Sequence, residues 1–258
     1  MKIAVTGTTG FIGSTLAEHL RALGHEVVPI ARGDVSPGSF KGCRATIHCA
    51  AIAHSKATPA EYEAANHGLA VDTARASREA GAARFVFVST IGVIADNKPP
   101  LTPDMAYAPN GEYAAAKMRA EIDILKMPDA VAVRPPLVVG ANAPGSLALL
   151  RKLCDTGLPL PFASVRNRRS VIDVNNLAAL LARLATGEDK RTGIIHAVDP
   201  EPLSLPQIIR AMRPKARLIP FPPSLLTLPL KLAGKGKMAD QLFGNLVVED
   251  QSPSTTSV

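Results

Sequence analysis

A glycine-rich stretch near the N-terminus reads Gly7-Thr8-Thr9-Gly10-Phe11-Ile12-Gly13, and it follows the apolar run Ile3–Val5 and opens a helical pattern. In this G-x-x-G-x-x-G spacing, the first glycine permits a tight turn and the second lets the backbone approach a pyrophosphate. The third lets the helix pack closely on the strand. The N-terminus of that helix offers free N–H groups to phosphates. The stretch therefore predicts a dinucleotide site, and no Gly-Lys-Ser/Thr follows it as in a Walker-type loop.

Beyond this turn, short apolar runs alternate with longer segments whose apolar residues recur every three or four positions. This alternation is typical of a parallel α/β sheet. The predicted strands are Ile3–Val5, Glu26–Ile30, Ala45–His48, Arg84–Val88, Ala130–Arg134 and Gly193–Ala197. The predicted helices are Phe11–Leu23, Pro59–Ala80, Glu112–Lys126, Ser146–Thr156, Val174–Ala185 and Leu205–Met212.

The region from Pro200 to Pro229 differs in character, because it contains eight prolines. Proline donates no hydrogen bond to a sheet and breaks helices. We expect short helices and loops here, packed on the main domain. The polar end, Gln251–Val258, is expected to be frayed.

A candidate catalytic pair stands in the helical pattern around Tyr113-Ala114-Ala115-Ala116-Lys117. The four-residue spacing places both side chains on one helix face. We expect the Lys117 ammonium to lower the pKa of Tyr113 and make it a proton donor or acceptor. Ser89 and Thr90 end a predicted strand, where open α/β sheets bind ligands. One of this pair is expected only to cap a turn.

Composition limits the class of protein. The 258 residues are 47% hydrophobic and 20% charged, and no uninterrupted apolar run is long enough to span a membrane. The apolar run at the N-terminus is shorter than the core of a signal peptide. Cys43, Cys49 and Cys154 form no Cys-x-x-Cys pair. We therefore expect a cytoplasmic protein with free thiols and no membrane partner.

The charge is basic, with 29 Lys and Arg against 22 Asp and Glu, a net of +7. No block of five like charges occurs, and the densest basic stretch, Arg166-Asn167-Arg168-Arg169, holds no aromatic residue for base stacking. We expect a small phosphorylated ligand rather than nucleic acid. His48 and His54 lack partners at metal-ligand spacing, so no metal site is expected.

Several stretches together resemble the extended short-chain dehydrogenases/reductases, close to nucleotide-sugar 4-epimerases and 4-keto-sugar reductases. They cover nearly the whole chain: the N-terminal turn, Ile47-His48-Cys49-Ala50-Ala51, Asn66-His67-Gly68, Phe85–Thr90, Tyr113 with Lys117, Arg134-Pro135-Pro136-Leu137-Val138-Val139-Gly140, Gly157–Pro161 and Asn167–Val174. The last of these is most similar to enzymes that act on UDP-linked hexoses. The resemblance implies a doubly wound parallel Rossmann sheet with a small, discontinuous substrate-binding lobe.

The resemblance also implies roles. Thr90, Tyr113 and Lys117 would be catalytic, with Lys117 also on the nicotinamide ribose. The residues implied to bind the cofactor are Gly7, Thr9, Gly10, Phe11, Ile12, Gly13, Arg32, Ala50, Ala51, Tyr113, Lys117, Pro135 and Leu137. Those implied to bind substrate are Thr90, Leu160, Phe162 and Arg169. The Rossmann domain would comprise residues 1–141 and 171–198, and the lobe 142–170 and 199–258.

Three departures from the family pattern matter. Only twelve residues separate Arg32 from the strand Ala45–His48, so the sheet is expected to be one edge strand short. Val139 replaces a tyrosine that the pattern usually has. The segment Leu242–Val248 resembles the start of the family's C-terminal region, and the lobe is expected to be truncated after it.

These observations leave three functions open: reduction of a UDP-4-keto-hexose, epimerisation of a UDP-sugar at C4 with tightly held NAD, and a non-catalytic NAD(P)-binding sensor or scaffold. No carboxylate follows the second predicted strand, whereas Arg32 stands there, which favours NADPH over NADH. The helices Pro59–Ala80 and Glu112–Lys126 are compatible with a homodimer, through an exposed face of Ala114, Ala115, Met118 and Ile122.

Overall fold

A computed structural model describes residues 1–53, 57–232, 240 and 243–250 of the chain. His54 and the C-terminal segment 251–258, for which the sequence raised expectations, lie outside the described residues. The strands are β1 Lys2–Thr6, β2 Glu26–Ile30, β3 Ala45–His48, β4 Arg84–Val88, β5 Ala130–Arg134, β6 Leu137–Val139, β7 Val171–Asp173 and β8 Gly193–His196. The helices are α1 Phe11–Ala22, α2 Pro59–Tyr62, α3 Leu69–Glu79, α4 Glu112–Ile124, α5 Gly145–Asp155, α6 Val174–Thr186, α7 Leu205–Met212 and α8 Pro223–Leu232.

The main sheet has six parallel strands in the order β2-β1-β3-β4-β5-β8, which confirms the predicted fold class. Helices α1 and α6 cover one face, over an apolar core that includes Ile3, Leu16 and Leu177. Helices α3 and α4 cover the other face, over Phe85 and Phe87. Strands buried on both faces explain why the sequence shows continuous apolar runs rather than alternation.

At the β2 edge, the sheet lacks the outer strand that is numbered 3 in the usual 3-2-1-4-5-6 order, as predicted. Strand β8 adds a strand at the opposite edge, so the sheet still has six strands. Residues 31–44 form two 3₁₀ turns, Arg32–Asp34 and Pro37–Phe40, instead of a strand and a helix. The Phe40 side chain is fully buried among Ile30, Cys43 and Ala76. The Phe40 ring thus covers the part of the core that the absent strand and helix would otherwise cover.

A second, two-stranded parallel sheet pairs β6 with β7, with Val138 opposite Ile172. The sequence did not predict either strand, because each has only three residues. The sheet lies where the chain leaves the Rossmann core for α5 and returns from it. The proline-rich stretch forms α7 and α8 joined by loops, in line with the prediction of short helices.

One helix face differs from its prediction. Ala114 was expected on an exposed face of α4, but it is buried, and a Cβ placed on Gly92 would lie 3.3 Å from the Ala114 Cβ. Met118 is half-buried against the cluster of Ile91, Val93 and Ile94. Of the proposed face, Ile122 is exposed. A homodimer through α4 stays a prediction, over a narrower apolar surface than the sequence indicated.

The helical segment from α2 to α3 is continuous through a π-helical stretch, Glu63–Gly68. Within it, His67 bridges two helices: Nδ1 lies 2.5 Å from Glu63 Oε1, and Nε2 lies 2.8 Å from Asp123 Oδ2 on α4. Burial lowers the pKa of His67, but the hydrogen bonds to Asp123 and Glu63 outweigh it. The net pKa is raised above the usual value of about 6.5.

This bridge gives a pH-dependent prediction. A raised folded-state pKa stabilises the protein fully below about pH 6.5, and the contribution disappears as pH rises through the folded-state value. The melting temperature of His67→Gln should therefore fall furthest below wild type in mild acid and approach it in mild alkali. His19→Gln, on α1 and without a carboxylate partner among the described residues, is the control. If the difference in melting temperature between wild type and His67→Gln did not change with pH, that result would contradict an ionic bridge at His67.

No helix among the described residues is long and apolar enough to cross a membrane.

Candidate active site

A cleft of about 1120 Å³ opens at the carboxyl ends of β1, β3, β4 and β5. It lies at the point where the strand order reverses, between β1 and β3, where open α/β sheets bind ligands. Most of the residues predicted for the cofactor and for catalysis line it. These are Gly7, Thr9, Gly10, Phe11, Ile12, Gly13, Ala51, Thr90, Tyr113, Lys117, Pro135 and Leu137.

The glycine turn has the shape that a dinucleotide pyrophosphate requires. Gly7 has φ of +70°, and a Cβ there would lie 2.8 Å from the Ala50 nitrogen. A Cβ on Gly13 would collide with the Gly7 carbonyl. Helix α1 begins at Phe11 without a side-chain cap and without an acidic residue in its first turn. Its first N–H groups are therefore available to an anion, and the residues present fit a dinucleotide.

Ala50, whose role in the cofactor site stays a prediction, is half-buried and contacts β1 just before the glycine turn. Its N–H donates to Thr6 Oγ1 at 3.1 Å, and Thr6 Oγ1 lies 3.1 Å from His48 Nδ1. His48 is fully buried between the rings of Phe85 and Phe87. Burial, reinforced by the Lys117 charge, lowers the pKa of His48 to about 3, so the imidazole is neutral. This hydrogen-bonded chain ties β3 to the glycine turn.

Tyr113, in the first turn of α4, lines the cleft beside Thr90. The Tyr62 ring packs edge-on against it, with ring centroids 6.3 Å apart. Burial, with a smaller contribution from Tyr62, raises the pKa of Tyr113 to about 12. The expectation that Lys117 lowers this pKa is wrong for this structure, because removal of the phenol from water outweighs any effect of the ammonium. Tyr113 is therefore protonated at neutral pH.

Lys117 is buried one helical turn further along α4. Its Nζ donates to the Val88 carbonyl at 2.8 Å and lies 4.4 Å from the centroid of the Phe87 ring. Burial lowers the pKa of Lys117 to about 8, although the Cys49 and Glu121 side chains oppose the shift. The ammonium form still predominates at pH 7. Lys117 thus holds a positive charge at the end of β4, next to Ser89 and Thr90.

The expectation that one of Ser89 and Thr90 only caps a turn is wrong, because the residue that caps the turn is Thr90, which also lines the cleft. Thr90 lines the cleft, and its Oγ1 also accepts a hydrogen bond from the Gly92 N–H at 3.1 Å. Because Thr90 Oγ1 accepts this bond, its own proton is free to donate into the cleft. Ser89 is buried, and its hydroxyl donates to Glu121 Oε2 at 2.6 Å. Thr90 is the hydroxyl that a ligand can reach.

A buried ion pair behind these residues was missed by the sequence analysis. Arg134 donates from Nε and Nη2 to Glu121 Oε1, at 3.0 and 2.5 Å, and both side chains are at most 1% exposed. The Tyr107 hydroxyl also donates to Glu121 Oε1, at 3.0 Å. The available signal was a glutamate four residues after Lys117 on the same helix face. The pair fixes α4 against the ends of β4 and β5.

Arg32 lies at the end of β2, but it does not line the large cleft. It lines a separate depression of about 350 Å³ together with Arg75, Asp72 and Glu79. Its side chain is exposed, so it is accessible to an anionic ligand at this edge. Its contact with a cofactor stays a prediction.

Of the residues predicted for the substrate, Thr90 lines the cleft, whereas Leu160, Phe162 and Arg169 do not. The N–H groups of Leu160 and Phe162 donate to the Arg217 and Leu160 carbonyls, which leaves no free donor between them for a base. Arg169 is half-buried and donates to the Gly244 carbonyl at 3.2 Å, and burial lowers its pKa. These three residues fall within the predicted lobe, and both the lobe boundaries and the binding roles stay predictions.

Comparison with known proteins places this geometry in context. The model of the NAD dependent epimerase/dehydratase family matches residues 3–196. A UDP-glucose 4-epimerase from Vibrio cholerae is 27% identical over 284 residues, covering 96% of this chain and 87% of that protein.

Two solved structures share the fold. The dTDP-4-dehydrorhamnose reductase from Bacillus anthracis, in complex with NADP, has a TM-score of 0.70 at 18% identity, over 85% of this chain and 84% of that one. The UDP-glucuronic acid 4-epimerase from Bacillus cereus, in complex with NAD, has a TM-score of 0.72 at 20% identity, over 86% and 87%. The same fold thus occurs in a reductase and in an epimerase.

Proposed function

Because the chain belongs to the NAD dependent epimerase/dehydratase family, and so to the extended short-chain dehydrogenases/reductases, we propose that this enzyme uses NADPH to reduce a UDP-linked 4-keto-hexose. The choice of reduction rests on Arg32, which favours NADPH at the end of β2, and the proton donor that we assign is Tyr113. It is held protonated, with a pKa of about 12, in the same cleft as Thr90. A protonated phenol is the form that delivers a proton to a carbonyl oxygen.

The chain's own residues supply everything except the hydride. A nicotinamide dinucleotide held by the glycine turn would supply the hydride for C4 of the sugar. Thr90 donates a hydrogen bond to the C4 oxygen as negative charge develops on it. Tyr113 transfers its proton to that oxygen. Lys117 lies one helical turn away and stabilises the phenolate that remains, and the glycine turn with the N-terminus of α1 holds the pyrophosphate.

The UDP portion is assigned from the resemblance and from the relative in Vibrio cholerae, whose name specifies UDP-glucose. We place it towards the lobe, with Leu160 and Phe162 near the uracil and Arg169 near the diphosphate. The half-buried Arg169 guanidinium has no carboxylate partner among the described residues, which supports a role for an anion there.

Epimerisation at C4 is the second candidate, because Thr90, Tyr113 and Lys117 serve both reactions. An epimerase retains its cofactor between turnovers, whereas a reductase exchanges it. Arg32 at the end of β2 favours NADPH, and with it the reductase, over an epimerase with tightly held NAD. The two candidates are separated by whether the purified enzyme carries NAD and interconverts UDP-hexoses without added cofactor.

The cofactor preference can be tested at β2. Wild type should bind NADPH more tightly than NADH, because Arg32 can pair with a 2′-phosphate and no carboxylate follows Ile30 at that position. Arg32→Ala should lose most of that preference for NADPH, and Ala31→Asp should shift the preference towards NADH. Titration of nicotinamide fluorescence measures the affinities of wild type and of both variants for NADPH and NADH. Tighter NADH binding by wild type would contradict this assignment and favour the epimerase.

The pH dependence follows from Lys117. If its ammonium is required, kcat/KM for ketone reduction should fall as pH rises through about 8, the pKa of Lys117 in the free enzyme. Lys117→Arg cannot lose its charge in this range, so its profile should lack that fall, although its rate is lower. A wild-type profile that is flat between about pH 7 and 9 would show that the Lys117 charge is not needed.

The proposed reaction is tested by incubating the enzyme and NADPH with a UDP-4-keto-hexose and following the nicotinamide absorbance. A UDP-hexose that is already reduced at C4 is the control substrate and should cause no loss of NADPH. A dTDP-4-keto-hexose tests the nucleotide. Equal turnover of the UDP and dTDP substrates would contradict the assignment of the base but not the chemistry.

A further inference from the structure

Among the described residues, the surface of the predicted lobe, residues 142–170 and 199–258, differs from that of the rest of the protein. The predicted lobe holds about a third of the chain. Yet it carries six of the nine large apolar side chains that are exposed among the described residues: Leu149, Leu153, Leu158, Ile219, Leu225 and Leu228. Scattered single apolar residues need no explanation, but such a concentration on one part of a surface marks an interaction site.

Some of the segments that carry these side chains are in contact with one another. Leu149 and Leu153 are four residues apart on α5, and Leu225 and Leu228 are three apart on α8, so each pair shares a helix face. The end of α5 is joined to the loop after α7 by the ion pair of Asp155 with Arg213. The Ile219 N–H donates to the Leu160 carbonyl, which brings the segments with Leu158 and Ile219 together.

The lobe also holds most of the net charge. It contains 12 Lys and Arg against 6 Asp and Glu, a net of +6, out of +7 for the whole chain. Residues 202–239 contain seven Lys and Arg and no Asp or Glu. The exposed cations of the lobe among the described residues are Lys152, Arg166, Arg168, Arg210, Lys215 and Arg217. The catalytic cleft accounts for none of them, since none lines it.

We propose that the lobe docks this protein onto an anionic lipid surface, with the leucines of α5 entering the headgroup region and neighbouring cations such as Lys215 and Arg217 facing lipid phosphates. Exposed aliphatic side chains flanked by Lys and Arg are the features by which proteins lie on membranes without spanning them. The proposal departs from the expectation of no membrane partner, which rested on the lack of a spanning segment. It is independent of the proposed reaction.

Other occupants fit this surface less well. The exposed apolar side chains are all aliphatic, so the lobe offers no exposed ring among its described residues to stack on nucleic-acid bases. Two copies of the lobe would bring two charges of +6 together, which opposes self-association through this face. An anionic bilayer complements both the charge and the aliphatic side chains.

The test is sedimentation of the full chain with vesicles. We expect binding to vesicles of equal parts phosphatidylglycerol and phosphatidylcholine, and little binding to phosphatidylcholine alone. Lys215→Gln with Arg217→Gln should lower the partition coefficient by about tenfold or more, at about 1 kcal/mol for each cation near the surface. Leu149→Ser with Leu153→Ser should lower it by a similar factor, through lost apolar burial.

The matched controls remove equivalent groups from the Rossmann part. Leu23 is exposed at the end of α1, and Lys41 and Lys98 are exposed cations, so Leu23→Ser and the double change Lys41→Gln with Lys98→Gln should leave the partition coefficient unchanged. Any of four results would overturn the proposal. The protein could fail to bind anionic vesicles, or the leucine variants could bind as wild type does. The control variants could lose as much binding as the lobe variants, or light scattering could show a dimer that the leucine changes abolish.

Discussion

Tyr113→Phe is expected to lower kcat by about 10²-fold or more, with little change in NADPH affinity. The variant keeps the ring, and with it the packing against Tyr62, and removes only the hydroxyl that would supply the proton. Because the pKa of Tyr113 is raised to about 12, the wild-type group is protonated throughout the neutral range and delivers a proton without prior activation. The measurement is steady-state reduction of a UDP-4-keto-hexose, alongside a titration with NADPH.

Tyr107→Phe is the matched control for this variant. It also removes a phenolic hydroxyl, but one that donates to Glu121 and does not line the cleft. Its kcat should stay within about threefold of wild type, on the basis of one lost hydrogen bond that does not touch the ligand. If Tyr113→Phe turned over its substrate at near wild-type rate, the proton would have to come from another group.

Glu121→Gln is expected to destabilise the fold by about 3–5 kcal/mol, because it leaves the Arg134 guanidinium buried without a counter-charge. Arg134 is 1% exposed, so water cannot replace the lost carboxylate. Ser89 and Tyr107 would also lose a charged acceptor. Urea unfolding measures the change in the free energy of unfolding.

The control for this variant is Glu112→Gln, an exposed glutamate in the first turn of the same helix, which should cost at most about 1 kcal/mol through the helix dipole. The double variant Glu121→Leu with Arg134→Met should be more stable than Glu121→Gln, since apolar replacement of a buried ion pair is often neutral. A loss below about 1 kcal/mol for Glu121→Gln would show that the pair does not hold α4 against the sheet.

The sheet could be predicted well because its signals are local. Each main strand is a continuous apolar run, and the glycine turn fixes where β1 ends and α1 begins. The missing edge strand followed from chain length alone, since the twelve residues between Arg32 and Ala45 cannot hold a strand and a helix. The strands β6 and β7 could not be found, because three residues show no period and their pairing depends on residues 34 positions apart.

The sequence predicted which residues share the cleft, but it did not predict the surroundings of their side chains. Tyr113, Lys117 and Thr90 meet in one cleft, as the spacing and the strand ends indicated. The sequence shows that Lys117 is near Tyr113, but it does not show that burial dominates both pKa values. The Glu121–Arg134 pair depends on a helix packing over the end of a strand. The exposed leucines of the lobe are likewise apparent only once the fold shows which leucines the core leaves uncovered.

Hydride transfer to C4 of a sugar nucleotide is tested most directly with NADPH that carries deuterium at both positions of nicotinamide C4. The enzyme is mixed with this cofactor and a UDP-4-keto-hexose, and the products are examined by mass spectrometry and proton NMR. We expect a UDP-hexose that carries a single deuterium at C4, formed in step with NADP⁺, and we expect Tyr113→Phe to form it at least about 10²-fold more slowly. Recovery of the unreduced ketone with intact NADPH would contradict it. Conversion of a UDP-hexose to its C4 epimer without deuterium, by enzyme that retains NAD, would assign the epimerase instead.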